Sequence, residues 1–279
     1  MILTSSCVSN VSIIIPDGDT SIDIITNDET KYFIAADDET KIDIITDDDT
    51  NIDDDTTVAA EESKYPVPTA FIALTFDDGP SYQTHRLLDV LKEHNIKATF
   101  FVSGVNMVKT DEIFVTANQR KIDEGHEFAN HAFYHYSWGN GNFSFDSMRR
   151  DFLRCQNEII RVTGKSTPFF RAPNLSRNNV MTRVLRDLEM FDILGYSPDD
   201  WRAGVTAKTL VDIITRESIA VDGQIFLLHD HGRTNVIQAI PQIAHILRLR
   251  GIDFMTLSEL AEHRGIDLTT DFGKVYSRF

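Results

Sequence analysis

From residue 65 onward, hydrophobic residues recur along the chain in two different patterns. Short apolar runs alternate with longer stretches in which apolar residues return every three or four positions. The runs predict β-strands, and the longer stretches predict amphipathic helices. The predicted strands are Phe71–Phe76, Ala98–Val102, Phe169–Arg171, Phe191–Leu194, Ile225–His229 and Phe254–Thr256, and the main predicted helices are Thr84–His94, Asp146–Thr163, Asn178–Leu188, Ala207–Ile219 and Val236–Arg250.

This alternation of strands and helices predicts the fold class. Parallel strands need long crossover connections, which are usually helical. The pattern therefore predicts an α/β domain with parallel strands, either a (β/α) barrel or an open sheet. Both architectures present reactive groups at the C-terminal ends of their strands.

The N-terminal part of the chain has a different character. From residue 19 the chain repeats every ten residues as DTSIDIITND, ETKYFIAADD, ETKIDIITDD and DTNIDDDTTV. Each unit joins about five strand-forming residues to a run of acids, which favours a β-meander or a partly disordered spacer. Because clustered aspartates can ligate hard cations, a calcium-binding or adhesive module is the alternative. We predict an acidic repeat segment over 1–64, the α/β domain over 65–265 and a C-terminal tail over 266–279.

The charge of the chain is concentrated in that segment. The net charge is -16, and residues 1–64 carry 17 acidic and three basic residues, whereas the rest carries 26 and 24. The α/β domain lacks the basic excess that nucleic-acid binding requires. No apolar run reaches the roughly 18 residues of a membrane span. The first 15 residues lack the basic region and the cleavage site of a clear signal peptide.

Two adjacent carboxylates follow the first predicted strand in ALTFDDGP, at Asp77 and Asp78. Like charges at this distance repel, and a nearby cation would keep both ionised. The pair therefore calls for a metal ion or an arginine, although Asp-Asp-Gly is also a common turn.

The stretch GHEFANHAFYH supplies His126, His131 and His135. His131 and His135 are four residues apart, so on a helical turn they would share one face. Two imidazoles and the Asp78 carboxylate suit zinc or a similar divalent ion, and three protein ligands are typical of a catalytic site. The alternative is that the histidines are incidental. We interpret His126 as structural.

Three later motifs add candidates. FFRAPN places Arg171 after an apolar strand, where it can hold a carboxylate in a bidentate pair. IFLLHD places His229 at a strand end, and an imidazole can protonate a leaving group near neutral pH. SPDDW places Asp200 beside Trp201, where an acid could orient a histidine and an indole could line a pocket. Each could instead be a satisfied structural residue.

Taken in order, TFDDGP, H-x-x-x-H, R-x-P, D-W and L-L-H-D resemble the polysaccharide deacetylase family, carbohydrate esterase family 4, over Pro66 to Arg264. The resemblance implies a distorted (β/α) barrel that removes acetyl groups from polysaccharides. The favoured substrates are N-acetylglucosamine polymers such as chitin or peptidoglycan. Acetyl xylan is the alternative substrate, and an inactive carbohydrate-binding relative is a further one. Such substrates imply a secreted or envelope-associated protein.

The resemblance also implies a role for each candidate residue. One divalent metal ion, zinc or else cobalt or another divalent ion, would be held by Asp78, His131 and His135. Asp77 would be the general base, held by Arg171, and His229 the general acid, tuned by Asp200. The Asn174 N–H would stabilise the oxyanion, and Trp201 and Leu227 would flank the acetyl methyl group.

The sequence departs from the family pattern at two places. Ser197 stands where a first Asp is expected in D-x-x-D-W, and Pro173-Asn174-Leu175 replaces Pro-Tyr-Gly. Both changes lie at the predicted pocket wall and leave the metal ligands intact. The acidic repeats lie outside the family pattern, so binding of cations or of a wall or mineral surface is the role considered for them.

Overall fold

The computed structural model describes residues 64–232 and 234–279, and the backbone of four short strands before them. The chain divides into two units, Met1–Ser63 and Lys64–Phe279. In the first unit the strands are β1 (Val11–Ile14), β2 (Ser21–Thr26), β3 (Lys31–Ala36) and β4 (Ile42–Thr46), and each pairs antiparallel with the next. The acidic stretches between the strands, to which cation or surface binding was assigned, lie outside the described residues.

The second unit alternates strands with helices, as predicted. Its strands are β5 (Ala70–Asp77), β6 (Thr99–Val102), β7 (Glu127–Asn130), β8 (Phe169–Phe170), β9 (Phe191–Ile193), β10 (Ile225–His229), β11 (Ile252–Phe254) and β12 (Val275–Tyr276). Its helices are α1 (Thr84–Glu93), α2 (Gly104–Met107), α3 (Glu112–Asp123), α4 (Phe145–Thr163), α5 (Asn179–Asp187), α6 (Ala207–Ile214), α7 (Thr234–Leu249) and α8 (Leu257–His263).

These strands form one parallel sheet that curves into a distorted barrel, which confirms the predicted fold. The order is β10-β5-β6-β7-β8-β9-β12, with β11 also paired to β5. The first half of β5 pairs with β11 and the second half with β10. A single parallel bridge between Tyr196, just after β9, and Phe226 of β10 closes the ring between these two strands.

Alternation along β5 separates the inside of the barrel from its outer layer. Leu74 and Phe76 belong to the large hydrophobic core that includes residues of α1, α6 and α7. Ala73 belongs to a second core with Phe101, Ala129, Phe169 and Ile225. Because successive strand residues point to opposite faces, Thr75 and Asp77 share the inner face with Ala73. The pleat of β5 therefore places the carboxylate of Asp77 inside the barrel.

Residues 266–279, predicted as a tail after the barrel, contribute to the sheet instead. Strand β12 pairs with β9, and the side chains of Tyr276 and Phe279 are buried. The Phe279 N–H donates to the Gly223 carbonyl, just before β10, at 2.9 Å. The C-terminal segment thus contacts both strands, pairing with β9 through β12 and with the residue range just before β10 through Phe279. Short elements such as this strand carry too few residues for a hydrophobic pattern to show.

Among the described residues, none of the helices combines the length and apolar character needed to cross a bilayer.

We expect removal of residues 1–63 to leave the second unit folded, because its described hydrophobic cores contain only residues from 70 onward. Its thermal unfolding midpoint should move by less than the roughly 2–4 °C that 1 kcal/mol causes in domains of this size. Calorimetry of the full chain and of residues 64–279 measures this shift. Loss of cooperative unfolding in the shortened chain would contradict the expectation.

Candidate active site

Asp77 ends strand β5, and the backbone turns sharply at the next residue, Asp78. Asp78 has a φ of +76°, a conformation uncommon for residues other than glycine. Its N–H donates to the Phe101 carbonyl at 3.2 Å, and the Asn106 side-chain amide donates to its carbonyl at 2.7 Å. This turn brings both carboxylates to one imidazole, since His131 Nε2 lies 3.8 Å from Asp77 Oδ2 and 3.4 Å from Asp78 Oδ1.

Asp78, His131 and His135 form a cluster suited to a metal ion. His135 Nε2 lies 3.2 Å from Asp78 Oδ1, and the three potential ligand atoms all lie within 4.8 Å of one another. Asp78 Oδ1 is buried, yet it accepts no hydrogen bond from any described residue. His131 Nδ1 lies 2.9 Å from the Arg171 carbonyl, which can only accept, so Nδ1 carries the proton and Nε2 faces Asp78 with its lone pair. These residues therefore fit a divalent cation.

The ionisation of the cluster is consistent with this fit. Burial alone would raise the pKa of Asp78, but the adjacent imidazoles of His131 and His135 hold it well below its usual range. In turn, contact with the Asp78 carboxylate raises the pKa of His135. Asp78 is therefore ionised at neutral pH, as a carboxylate ligand must be.

The backbone that carries both histidines differs from the prediction. Residues 131–135 form a loop after β7, so the predicted helical turn is wrong. Ala132 has a φ of +62°, and its N–H donates to the Asn130 side chain at 2.9 Å. The Phe133 N–H donates to Asp151 of α4 at 2.8 Å. Hydrogen bonds to polar side chains thus replace a helix in bringing the two imidazoles together.

Arg171 holds Asp77 from inside the barrel. Its Nη1 donates to Asp77 Oδ1 and to the Thr75 hydroxyl, each at 2.7 Å, and its Nε donates to the Ile193 carbonyl at 3.1 Å. The predicted bidentate pair is wrong, because the guanidinium shares its donors among three acceptors. Burial lowers the pKa of Arg171, and the Asp77 carboxylate opposes that shift. Asp77 Oδ2 remains free to face the cluster.

His229, at the end of β10, forms a second pair with Asp200, which lies in the loop after β9. His229 Nδ1 lies 2.8 Å from Asp200 Oδ1, and the His229 N–H donates to Oδ2 at 3.1 Å. His229 is the register partner of Asp77 between β10 and β5. Burial lowers the pKa of His229, but hydrogen bonding to Asp200 and the charge of Asp77 raise it above its ordinary value overall.

The predicted pocket residues lie around these groups in different settings. Leu227 is buried and, two residues before His229 on β10, points to the same side of the strand. Trp201 is 49% exposed and Asn174 is exposed with a φ of +56°. Ser197, at the position of the missing Asp, accepts the Asp199 N–H at 3.2 Å. The roles of Asn174, Trp201 and Leu227 toward an acetyl group stay predictions.

Several residues that build the site were missed. Thr75 binds Arg171, Asn106 binds the Asp78 turn, Asp151 supports the histidine loop, and the Asn235 amide donates to the Asp200 and Val205 carbonyls at 3.0 Å each. Of these residues, only Thr75 could have been found from the sequence, because it lies two residues before Asp77 on the same face of the predicted strand.

Comparison with known proteins identifies the family. Residues 64–191 match the model of the polysaccharide deacetylase family. The chain is 31% identical over 203 residues to a peptidoglycan-N-acetylglucosamine deacetylase of Bacillus cereus, with 70% of each chain covered. It is 36% identical over 207 residues to a bifunctional xylanase/deacetylase of Pseudobutyrivibrio xylanivorans, covering 74% of this chain and 33% of that protein.

Solved structures of this family have a similar fold. The Xyl-CE4 domain of a xylanase from the hindgut metagenome of Trinervitermes trinervoides superposes with a TM-score of 0.68 at 33% identity, covering 75% of this chain and 97% of that one. A family 4 acetyl xylan esterase from Clostridium thermocellum, in complex with a cobalt ion, gives 0.67 at 30% identity, covering 75% and 98%.

The chain belongs to the polysaccharide deacetylase family, as the order of its motifs predicted. Membership confirms the predicted class of protein, a hydrolase related to enzymes named as peptidoglycan, xylan-associated and chitin deacetylases. The chain spans a third of the xylanase/deacetylase but most of the Bacillus protein.

We expect His131→Ala to weaken binding of a divalent ion by more than the roughly 10–100-fold that outer-shell changes cost, because a direct ligand is lost. Elemental analysis and titration of the metal-free protein with Zn²⁺ measure this. His126→Ala is the matched control: its ring is buried and accepts the Ala98 N–H at 3.1 Å outside the cluster, so metal content should stay full. Full occupancy in the His131 variant would remove that residue from the ligand set.

Proposed function

We propose that this protein is an active, metal-dependent deacetylase that removes N-acetyl groups from N-acetylglucosamine polysaccharides, that is, chitin, its oligomers or peptidoglycan. Asp78, His131 and His135 hold one divalent ion, with Zn²⁺ as the first candidate. When bound, the ion polarises the acetyl carbonyl and lowers the pKa of water. The observation that carries this proposal is that Asp77, with one oxygen free, and His229 lie side by side at neighbouring strand ends, and that the free oxygen faces the ligand His131.

Asp77 is the general base in this proposal. Arg171 occupies Oδ1, so Oδ2 is the oxygen available to accept a proton from the attacking water. The ion pair fixes the carboxylate in one orientation. Positioned proton transfer of this kind contributes about 10²–10⁴-fold to a rate.

His229 is the general acid. Asp200 accepts from Nδ1 and leaves Nε2 to carry the proton that goes to the departing amine. Because Asp200 and Asp77 raise its pKa, the imidazolium persists to a higher pH than in a free histidine. The Asn174 N–H contributes to the oxyanion site, and Trp201 and Leu227 bound the acetyl methyl.

A second candidate is removal of O-acetyl groups from xylan. Two structural relatives are a xylanase domain and an acetyl xylan esterase, and the xylanase/deacetylase is the relative with 36% identity. The same base, acid and ligands serve an ester, whose leaving alkoxide also needs a proton. The N-acetyl assignment rests on the peptidoglycan and chitin deacetylases among the relatives. Either polymer implies action outside the cell or in its envelope.

Acetate release from chitin oligomers, peptidoglycan and acetylated xylan, each with and without a chelator, tests the proposal. We expect chelator-sensitive release, greatest on the first two substrates. Asp77→Asn should lower turnover by about 10²–10⁴-fold while retaining the metal, because it removes the proton acceptor and none of the three proposed ligands. Greater release from xylan would favour the second candidate. Near-normal turnover in Asp77→Asn would remove the base from the proposal, and metal binding without any acetate release would indicate an inactive binding relative.

The pH profile tests His229. A group whose folded pKa is raised keeps its proton to a higher pH, so activity should be lost only as pH rises through that raised value. Asp200→Asn removes the charge that raises it, and we expect the descending limb of the kcat/KM profile to move to lower pH. Asp199→Asn is the matched control, because Asp199 is partly exposed and pairs with Arg202 at 3.1 Å instead. An unmoved limb in the Asp200 variant would refute the coupling.

A further inference from the structure

A buried carboxylate beside the site has no part in the chemistry described above. Asp230 directly follows His229, and its side chain is fully buried. Its backbone connects the two strand ends, since the Asp230 N–H donates to the Asp77 carbonyl at 2.9 Å and its own carbonyl accepts from the Ser81 hydroxyl. One residue therefore links the strand of the proposed acid to the loop that follows the proposed base.

The side chain of Asp230 reaches the same loop. Both carboxylate oxygens lie 2.8 Å from the Thr84 hydroxyl, at the start of α1, and that hydroxyl accepts the Ser81 N–H at 2.7 Å. A Cβ at Gly79 would lie only 2.0 Å from Asp230 Oδ2. The carboxylate thus fills the space where a side chain at position 79 would be. Gly79 is the residue next to the ligand Asp78, so the two fit together at the turn that aims Asp78.

Lys121 supplies the charge that this arrangement needs. It projects from α3, is fully buried, and places Nζ 3.5 Å from Asp230 Oδ2. Its Nζ lies 4.3 Å from the centre of the Phe100 ring and makes no hydrogen bond within the described part of the chain. Buried ion pairs are seldom more stable than well-packed apolar residues of the same volume. Its place beside the Asp78 turn suggests a role in the geometry of the site.

We propose that Asp230, neutralised by Lys121, is a positioning residue that locks the Asp78 turn against the end of β10 and so sets the metal affinity of the site. It touches no ligand atom and acts through Gly79, Ser81 and Thr84. The proposal rests on the metal site of the proposed function, but it concerns binding of the ion and not turnover.

Titration of the metal-free full chain with Zn²⁺ tests this inference, alongside thermal unfolding and the kcat and KM of acetate release. Asp230→Asn keeps the volume but removes the charge, and we expect Zn²⁺ affinity to fall about tenfold, as for other outer-shell changes. At limiting Zn²⁺ the loss should appear in kcat, because less of the protein is loaded, with KM within twofold. Thr84→Val should weaken Zn²⁺ binding in the same direction, and Thr84→Ser, which keeps the hydroxyl, should restore it.

Glu127→Gln is the matched control. Glu127 is a partly buried carboxylate that also accepts from hydroxyls, those of Thr99 and Ser258, but it lies at the opposite end of the strands. The Glu127→Gln variant should lose stability and keep the Zn²⁺ affinity of the wild-type chain within twofold. Wild-type affinity in both Asp230→Asn and Thr84→Val would overturn the proposal, as would an equal loss in Glu127→Gln. If the wild-type chain binds Zn²⁺ but releases no acetate, the proposed function fails, and these affinities still decide the role of Asp230.

Discussion

The ion pair between Arg171 and Asp77 is the interaction on which the rest of the site depends. The guanidinium is fully buried, stacks 3.9 Å from the centre of the Phe101 ring and binds groups from β5 and β9. It therefore crosses the inside of the barrel from one wall to another. Loss of one partner of such a pair leaves an uncompensated buried charge, at a cost of about 3–5 kcal/mol. Stability and the geometry of the candidate site thus depend on the same contact, and Arg171 lets the protein keep a carboxylate where a barrel would normally place an apolar residue.

Other buried charges at this end of the sheet are also paired, each with a partner from a different part of the chain. Asp200 meets His229, Asp230 meets Lys121, and Asp78 meets two imidazoles. Asp78 Oδ1, a ligand atom of the proposed metal site, is among the buried side-chain oxygens that make no hydrogen bond within the described residues. The domain is nearly neutral overall, and the acidic excess of the chain belongs to its first 64 residues.

Much of this arrangement could be predicted from the sequence, for physical reasons. Strands β5 and β10 are apolar runs that end in charged residues, so both the strands and the reactive groups at their ends were visible. Strand β7 reads Glu-Phe-Ala-Asn, which is too short and too polar to show a strand pattern. The histidines that follow it, His131 and His135, were therefore assigned to a helical turn. Lys121 lies in none of the predicted helices or motifs, and no role was predicted for Asp230. Their pairing, and the contacts of Arg171 with Thr75 and Asp77, join residues roughly a hundred positions apart, which no local pattern encodes.

The late position of β12 in the chain affects how the protein is made. Strand β9 must wait for a partner that lies 83 residues further on, from Asp192 to Val275. At ribosomal speeds of about 5–20 residues per second, that delay is roughly 4–17 s. Throughout it, one edge of β9 carries open amide and carbonyl groups beside an apolar interior, the condition under which strands pair with the wrong neighbour. The sheet is therefore most exposed to aggregation during translation, and slower synthesis of residues 194–274 would lengthen that period without altering the finished fold.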